Sequence, residues 1–498
     1  MLILTNPPAS EALYTDYTVK VNGIDASLIA VRVSAMPYNT AWPGYQRPID
    51  QTELASTLSF SSDECVTVTV TYKNAPREVT VRPLSKKISA KISEDTATIT
   101  LDSAGFYTVE ADGFHNALHV FFNPIKNFEN SKHSGESIIR YGAGIHKIGK
   151  VELFSNTTVI IDRDAVLYGS FEAVDAENIS ILGYGTIDGS DEVRTSESSL
   201  LPLDYYAPIP KDTSEFKAFL EKELVLDGIL RFYRCKNVHI DGVILRDSST
   251  FALIMANSSD CLVENVKAIG MWKYNSDGID LFNCRDVKIS NCFFRCFDDC
   301  IVLKGICGWD EWGMENIRIE NCVTWCDWGR NLEIGAETNA PIYRNIVFEG
   351  CDCIHGSTMF CDIHHHNRAR IFDVAFENIN CEYTKHQLSD TYQHDMSARF
   401  EVSYPARHPV LINAAIYDMG LFSKDSLHGS IHDIKFKNIH MLTDSDGIPA
   451  PLVILRGLDE SHRVENVSID TIYRDGIRLE HDEIEWHVNE YTKNAEFV

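Results

Sequence analysis

An all-β chain, an antiparallel β-sandwich followed by a right-handed parallel β-helix, is the fold class this sequence predicts. Three observations carry the prediction. Between Tyr17 and Asn123, short runs alternate apolar and polar residues and break at turns every 8 to 12 positions. After about residue 130 one phrase recurs, at intervals of 24 to 30 residues over its regular stretch from Val238 to Val374. The repeat shows no helical periodicity. The expected division is a sandwich over residues 1–125 and a helix domain over 126–498.

The sandwich is expected from "YTVKVNGI", "SLIAVRVSA", "CVTVTVTYK", "EVTVRPL", "TATITLD", "GFYTVEA" and "LHVFFNP", whose period of two matches half-buried strands. The loop "MPYNTAWPGYQRP" interrupts them, and its Trp42, Tyr45 and Arg47 are expected to pack on the next domain, with ligand contact as the alternative. In the repeat, an Asn or Asp precedes an aliphatic residue at Ile179, Val238, Val287, Ile317, Ile346, Val374, Ile434 and Val467. A slipped copy surrounds Val263. One coil cannot bury its own apolar face, whereas coils stacked at the ~4.8 Å strand spacing build a continuous interior column. Asparagine suits the equivalent turns because it tolerates left-handed backbone and can bond to its neighbours in the stack.

Seventy-two acidic and forty-five basic residues give a net charge of −27. Such a surface repels nucleic acid and anionic membranes. No apolar run reaches the length of about 18 residues that a membrane span needs. The opening "MLILTNPPASEALYTD" has no basic region before its apolar patch and reads as lacking an export signal; the expectation is a cytoplasmic protein, or an extracellular one if a leader has been removed. The fourteen cysteines fall mostly at strand-like positions, which predicts reduced, buried thiols.

The chemistry concentrates in "NSDGID" (Asn275 to Asp280) and "FDDC" (Phe297 to Cys300). Asp277 and Asp298 are 21 residues apart, close to one coil, so Asp277, Asp298 and Asp299 are expected to meet on adjacent rungs, with Asp280 facing the same cleft or a turn. Carboxyls that close cannot all ionise, and one keeps its proton. An acid beside one or two carboxylates is what glycosidic hydrolysis requires. Clustered aspartates also serve calcium, which wants more oxygen ligands, or simply cap turns.

"NSDGID" followed by "FDDCIVLKG", with "GYGTIDG" at Gly183 to Gly189, resembles the signature of the polygalacturonase family, glycoside hydrolase family 28, over about residues 135 to 365. The resemblance implies Asp298 as general acid, Asp277 and Asp299 holding the attacking water, inversion at the anomeric carbon, and no cofactor or metal. Carboxyls only ~5 Å apart read as retaining by separation alone; the stereochemistry expected here follows the family.

The pattern then breaks. "WGRNLEIGAE" keeps Leu332, Ile334 and Gly335 but puts Arg330 where the family has histidine. Asp362, Ile363 and His364 stand where the family grips a substrate carboxylate with Arg-Ile-Lys. An anion in place of cations disfavours a uronate and points to a neutral sugar. The leading sandwich and "RNIVFEGCDCIH" are similar to dextranases and isopullulanases.

Further expected substrate contacts are Lys304, which alternatively tunes Asp298, and Glu333 and Glu337 on an apolar strand. Of the tryptophans Trp272, Trp309, Trp312, Trp325 and Trp328, Trp309 or Trp312 is expected to line a sugar subsite. In the run His364 to His366 only the first and third can converge, which suits sugar binding better than zinc. The function expected is an inverting hydrolase of an α-linked, neutral oligo- or polysaccharide. A pectin hydrolase and an idle carbohydrate-binding β-helix are the alternatives.

Overall fold

The computed structural model describes residues 1–35, 39–41, 49–128, 137–192, 210–222, 228–309, 311–385, 391–392, 401–402, 408–418 and 427–498. Trp42, Tyr45 and Arg47 lie outside them. The leading strands form two facing sheets. One contains Leu2–Leu4, Ile29–Ser34, Thr52–Ser62, Val79–Arg82, Gly105–Ala111 and Leu118–Asn123; the other contains Tyr17–Val21, Ile24–Ala26, Val66–Tyr72, Lys91–Ser93 and Thr96–Leu101. Alternation decides which side chains fill the space between them. Tyr17, Val19 and Val21 are buried while Thr18 and Lys20 are exposed, and Val66, Val68 and Val70 meet Phe60 and Phe122 in one core. One pairing departs from the expected antiparallel order: Leu118–Asn123 runs parallel to Thr52–Ser62. The chain between them passes through Val66–Tyr72, Lys91–Ser93 and Thr96–Leu101 of the other sheet, the long connection that parallel pairing needs.

From Ser137–Tyr141 to Thr492–Phe497 the chain winds into stacked coils joined by parallel pairing, with a strand on each of three faces in the regular coils. The predicted repeat is one column on the first face, running Ile179, Val238, Val287, Ile317, Ile346, Val374, Ile434, Val467. In the slipped copy Cys261 takes the column position above Val287, because Val263 is in register with Ile240 and Ile289. A buried thiol is close enough in volume and polarity to an aliphatic side chain to do so. At the turn before this face, Asn178, Asn237, Asn316 and Asn345 take left-handed backbone. Their amides donate along the stack, Asn178 to Asn156 and Asn237 to Asn178 at 2.8 Å, Asn316 to Asp286 at 2.8 Å and Asn345 to Asn316 at 2.7 Å. None of the fourteen cysteines is in a disulfide, and most lie inside the column. Among the described residues no helix is long and apolar enough to cross a membrane.

The sandwich sits on the second face. Val31, Val33, Phe106 and Phe121 pack against Ile269, Phe293, Val323, Trp325 and Ile354. A buried charge cluster pins the same seam: Arg82 donates to Glu110 at 2.8 Å, Glu382 at 2.5 Å and Asp444 at 2.9 Å, and His355 meets Glu110 at 2.6 Å. One edge of this face is the turn carrying the aspartates.

Candidate functional site: a multi-carboxyl cleft

The cleft lies where the second face turns into the third. On the third face, Ile279, Leu281, Ile301, Leu303, Leu332, Ile334, Cys361 and Ile363 point into the column. Alternation therefore sends Asp280, Lys304, Glu333, Asp362 and Asn413 outward. Ladder register sets the rest: Gly278 N donates to Asp299 O at 2.8 Å, and Cys300 N to Arg330 O at 2.9 Å. Asp277, Asp299 and Arg330 thus follow one another up the turn. The 21-residue interval placed Asp298 over Asp277; the register puts Asp299 there, and Asp298 N meets Ser276 O at 3.4 Å. Gly329 allows the close approach, because a Cβ there would lie 2.5 Å from Asp299 Oδ1.

Two cations serve these acids. Lys304 Nζ lies 2.7 Å from both Asp277 Oδ2 and Asp280 Oδ1, and 3.9 Å from Asp299 Oδ2. Arg330 lies 3.7 Å from Asp299 Oδ1, 3.8 Å from Glu333 and 3.6 Å from Asp362, and its backbone N–H donates to Asp299 Oδ1 at 3.0 Å. Asp299 therefore stands between two cations, each backed by further carboxyls. Asp298 differs: among the described residues its carboxyl has no hydrogen bond or ion pair. Burial, then the charge of Asp299, pushes Asp298 up to about 8. Burial also drives Asp277 and Glu333 well above the ordinary carboxylate range, Asp280 to about 6 and Asp362 to about 7, with Lys304 or Arg330 pulling each back. Against burial, Asp277 and Asp280 hold the Lys304 ammonium well above the usual lysine value.

Exposure separates the predicted substrate contacts. Asp277, Asp298 and Asp299 are 2, 6 and 5% exposed, whereas Asp280, Glu333 and Asp362 are at 0%. Those three are thus corrected from sugar ligands to buried supports of Lys304 and Arg330. The Arg330 side chain, 27% exposed, is the most open charged group of the cluster. Glu337 is buried close enough to Lys304 to act on its charge. Trp309 is also corrected: it packs with Phe216, Tyr233, Ile254 and Phe282 in an apolar cluster and offers no face to a sugar. Trp312 is half-buried beneath the Arg285 guanidinium, 4.7 Å from its ring centroid.

His364 and His366 do converge, their rings stacked at 4.8 Å, and Tyr417 extends the stack 4.2 Å from His364. Burial lowers His364 to about 2, so it is neutral. Sequence reasoning passed over Tyr417, which no repeat position marks, and Tyr274 and Trp328. Trp328 is half-buried, stacks on Phe297, the residue before Asp298, at 5.3 Å and lies 5.7 Å from the Tyr274 ring. The signal available was its position before Arg330, matching that of Phe297 before Asp299. Trp325 and His355 belong to the seam. Among the described residues His239, Asp241 and Glu264 are grouped closely enough to hold a metal. The Lys126 ammonium already bridges the two acids, at 2.7 and 3.0 Å.

A parallel β-helix with clustered aspartates at one turn, fronted by a sandwich, is the class these observations define. The pattern of the Glycosyl hydrolases family 28 matches residues 139–387, half of the chain, and the chain belongs to that family. A probable polygalacturonase of Vitis vinifera is 25% identical over 186 residues, 34% of this chain and 37% of that protein. Rhamnogalacturonase A of Aspergillus niger is 28% identical over 170 residues, 32% of this chain and 35% of that protein. The chain thus spans little more than a third of the length of these curated relatives. In fold it is similar to Dex49A from Penicillium minioluteum, with a TM-score of 0.58 at 14% identity over 99% of this chain and 96% of that one.

Proposed function

We propose that the cleft hydrolyses an α-linked glycosidic bond of a neutral oligo- or polysaccharide, with inversion and without a cofactor. The observation that carries this reading is the asymmetry between two adjacent carboxyls. Asp299 is flanked by Lys304 and Arg330 at 3.9 and 3.7 Å; Asp298 has neither cation in contact, and burial with the neighbouring Asp299 holds it up at about 8, so it keeps its proton. Asp298 then donates that proton to the departing glycosidic oxygen, and Asp299, with Asp277 held by Lys304, orients and deprotonates the water that attacks the anomeric carbon. The ring is expected to rest on Trp328 and Tyr274.

A neutral sugar is favoured because the residues at the family's carboxylate-gripping position supply no cation: Asp362 is sealed and His364 is neutral. One observation supports a pectin-type substrate instead, the partly open Arg330, in keeping with the printed names of the two curated relatives. Reducing-sugar release from dextran, pullulan and polygalacturonate, with the first-formed anomer followed by proton NMR, decides among these. Release of the β-anomer from an α-glucan is expected from the wild type and none from Asp298→Asn. Activity confined to polygalacturonate selects the second reading, and binding without hydrolysis of any glycan removes both.

A further inference from the structure

The coils carry two asparagine ladders that behave differently. At the turn before the first face every amide named above donates to the next. At the turn after that face, Asn265, Asn291 and Asn321 have the same left-handed backbone, with φ of 53, 51 and 54°, and occupy successive coils, since Glu264, Ser290 and Glu320 before them are in register. Yet no bond joins them. Among the described residues the Asn291 and Asn321 side chains have no hydrogen bond, and Asn265 reaches only Asn123 Oδ1, at 3.5 Å. Farther along the same ladder, beyond Gly350, Asn438 again donates to Asn378 at 3.0 Å. The stretch of Asn265, Asn291 and Asn321, where no bond runs along the ladder, lies opposite the sandwich.

That open stretch lines a cavity of about 410 Å³ between the sandwich and the β-helix, on the edge of the second face opposite the catalytic turn. Its volume falls within the range of small-ligand sites, which favour domain seams. Its charges offset one another: Lys126 is bound by Asp241 and Glu264, and Asp352, which accepts from Ser85 and Asn380, faces Lys86. What is left unpaired among the described residues is the pair of neighbouring amides of Asn291 and Asn321, one strand repeat apart at ~4.8 Å, each offering donors and an acceptor. Such a pair suits a neutral, polyhydroxylated chain rather than an ion.

We propose that this seam cavity is a second glycan-binding site, which holds a length of the polysaccharide away from the cleft. The choice of glycan rests on the hydrolase reading above; the existence of the open site does not. Asn→Gly keeps the left-handed backbone and deletes the amide, so Asn291→Gly/Asn321→Gly tests the pair. Ala104→Trp, on the exposed rim, fills the cavity independently.

In affinity electrophoresis through dextran, the Asp298→Asn protein is expected to be retarded. Adding either change should weaken the retardation about tenfold, as loss of two hydrogen bonds implies. In the otherwise wild-type enzyme, both leave kcat/KM on isomaltotriose unchanged. Retardation unaltered by both changes, or dextran cleavage without retardation, overturns the seam site. Retardation sensitive to both changes in a protein that cleaves no glycan supports the site and overturns the hydrolase reading alone. A protein neither retarded by dextran nor active on it overturns both.

Discussion

Among the buried charge clusters, the one at the seam and the one in the cleft are built to opposite ends. At the seam, Arg82 makes direct hydrogen bonds to three carboxyls at 2.5 to 2.9 Å, and Glu110, despite its burial, is held below the usual carboxylate range by Arg82 and His355. In the cleft, Arg330 stands 3.6 to 3.8 Å from three carboxyls, and oxygens of Asp277, Asp280, Glu333 and Asp362 lack hydrogen bonds among the described residues. Closed bonds hold two surfaces together. Open ones accompany carboxyls that burial raises above the usual range, with Asp298 among them at the solvent edge, an arrangement stability alone would not select.

Four changes break or sharpen that contrast. The largest effect belongs to Asp298→Asn, expected to lower kcat by about 10²- to 10⁴-fold, the worth of a general acid, with an unaltered far-ultraviolet circular dichroism spectrum showing that the protein is still folded. Next, Arg82→Met strands the buried Glu110 and Glu382 and the half-buried Asp444 and should cost about 3–5 kcal/mol in denaturant unfolding; Asp298 is untouched, so kcat per folded molecule stays the same. Third, Lys304→Met removes the cation shared by Asp277, Asp280 and Asp299, and the acidic limb of the kcat/KM profile should move to higher pH; an unmoved limb with a raised KM would mark Lys304 as a sugar ligand instead. The smallest is Trp328→Ala, which should raise KM about 2- to 10-fold, as loss of one aromatic contact worth ~0.5–1.5 kcal/mol implies.

Stability should follow proton binding in both clusters, since burial also pushes Glu382 at the seam up to about 8. Asp298 and Asp362, at about 8 and 7, bind protons in the folded state that they would release at pH 6 when unfolded. Their contribution is complete below the ordinary aspartate value and is lost as pH climbs through about 7 to 8. Unfolding temperatures of the wild type should therefore fall between pH 6 and pH 9, and Asp298→Asn should flatten that fall.

The fold was legible because strand alternation and a repeated turn residue are local signals: Ile179 to Val467 form the column their phrase marked. The aspartates were legible for the same reason, to within the one residue by which the register replaced Asp298 with Asp299. What surrounds them was not. Spacing cannot show that Lys304 and Arg330 seal Asp280, Glu333 and Asp362 behind them, nor that Trp309 turns into a cluster with a helix residue, Phe216, from Thr213–Lys222. The seam was invisible because Arg82 and Glu382 are 300 residues apart, with no periodicity to link them.

The central claim is that Asp298 enters the reaction carrying a proton because it is buried beside Asp299 with no cation in direct contact. The pH dependence of kcat/KM on the best glycan substrate tests it most directly. Activity should persist through neutrality and decline above about pH 8, with Asp298→Glu retaining some activity but moving that limb. A profile flat to pH 10, or a limb at pH 8 that Asp298→Glu leaves in place, would contradict it.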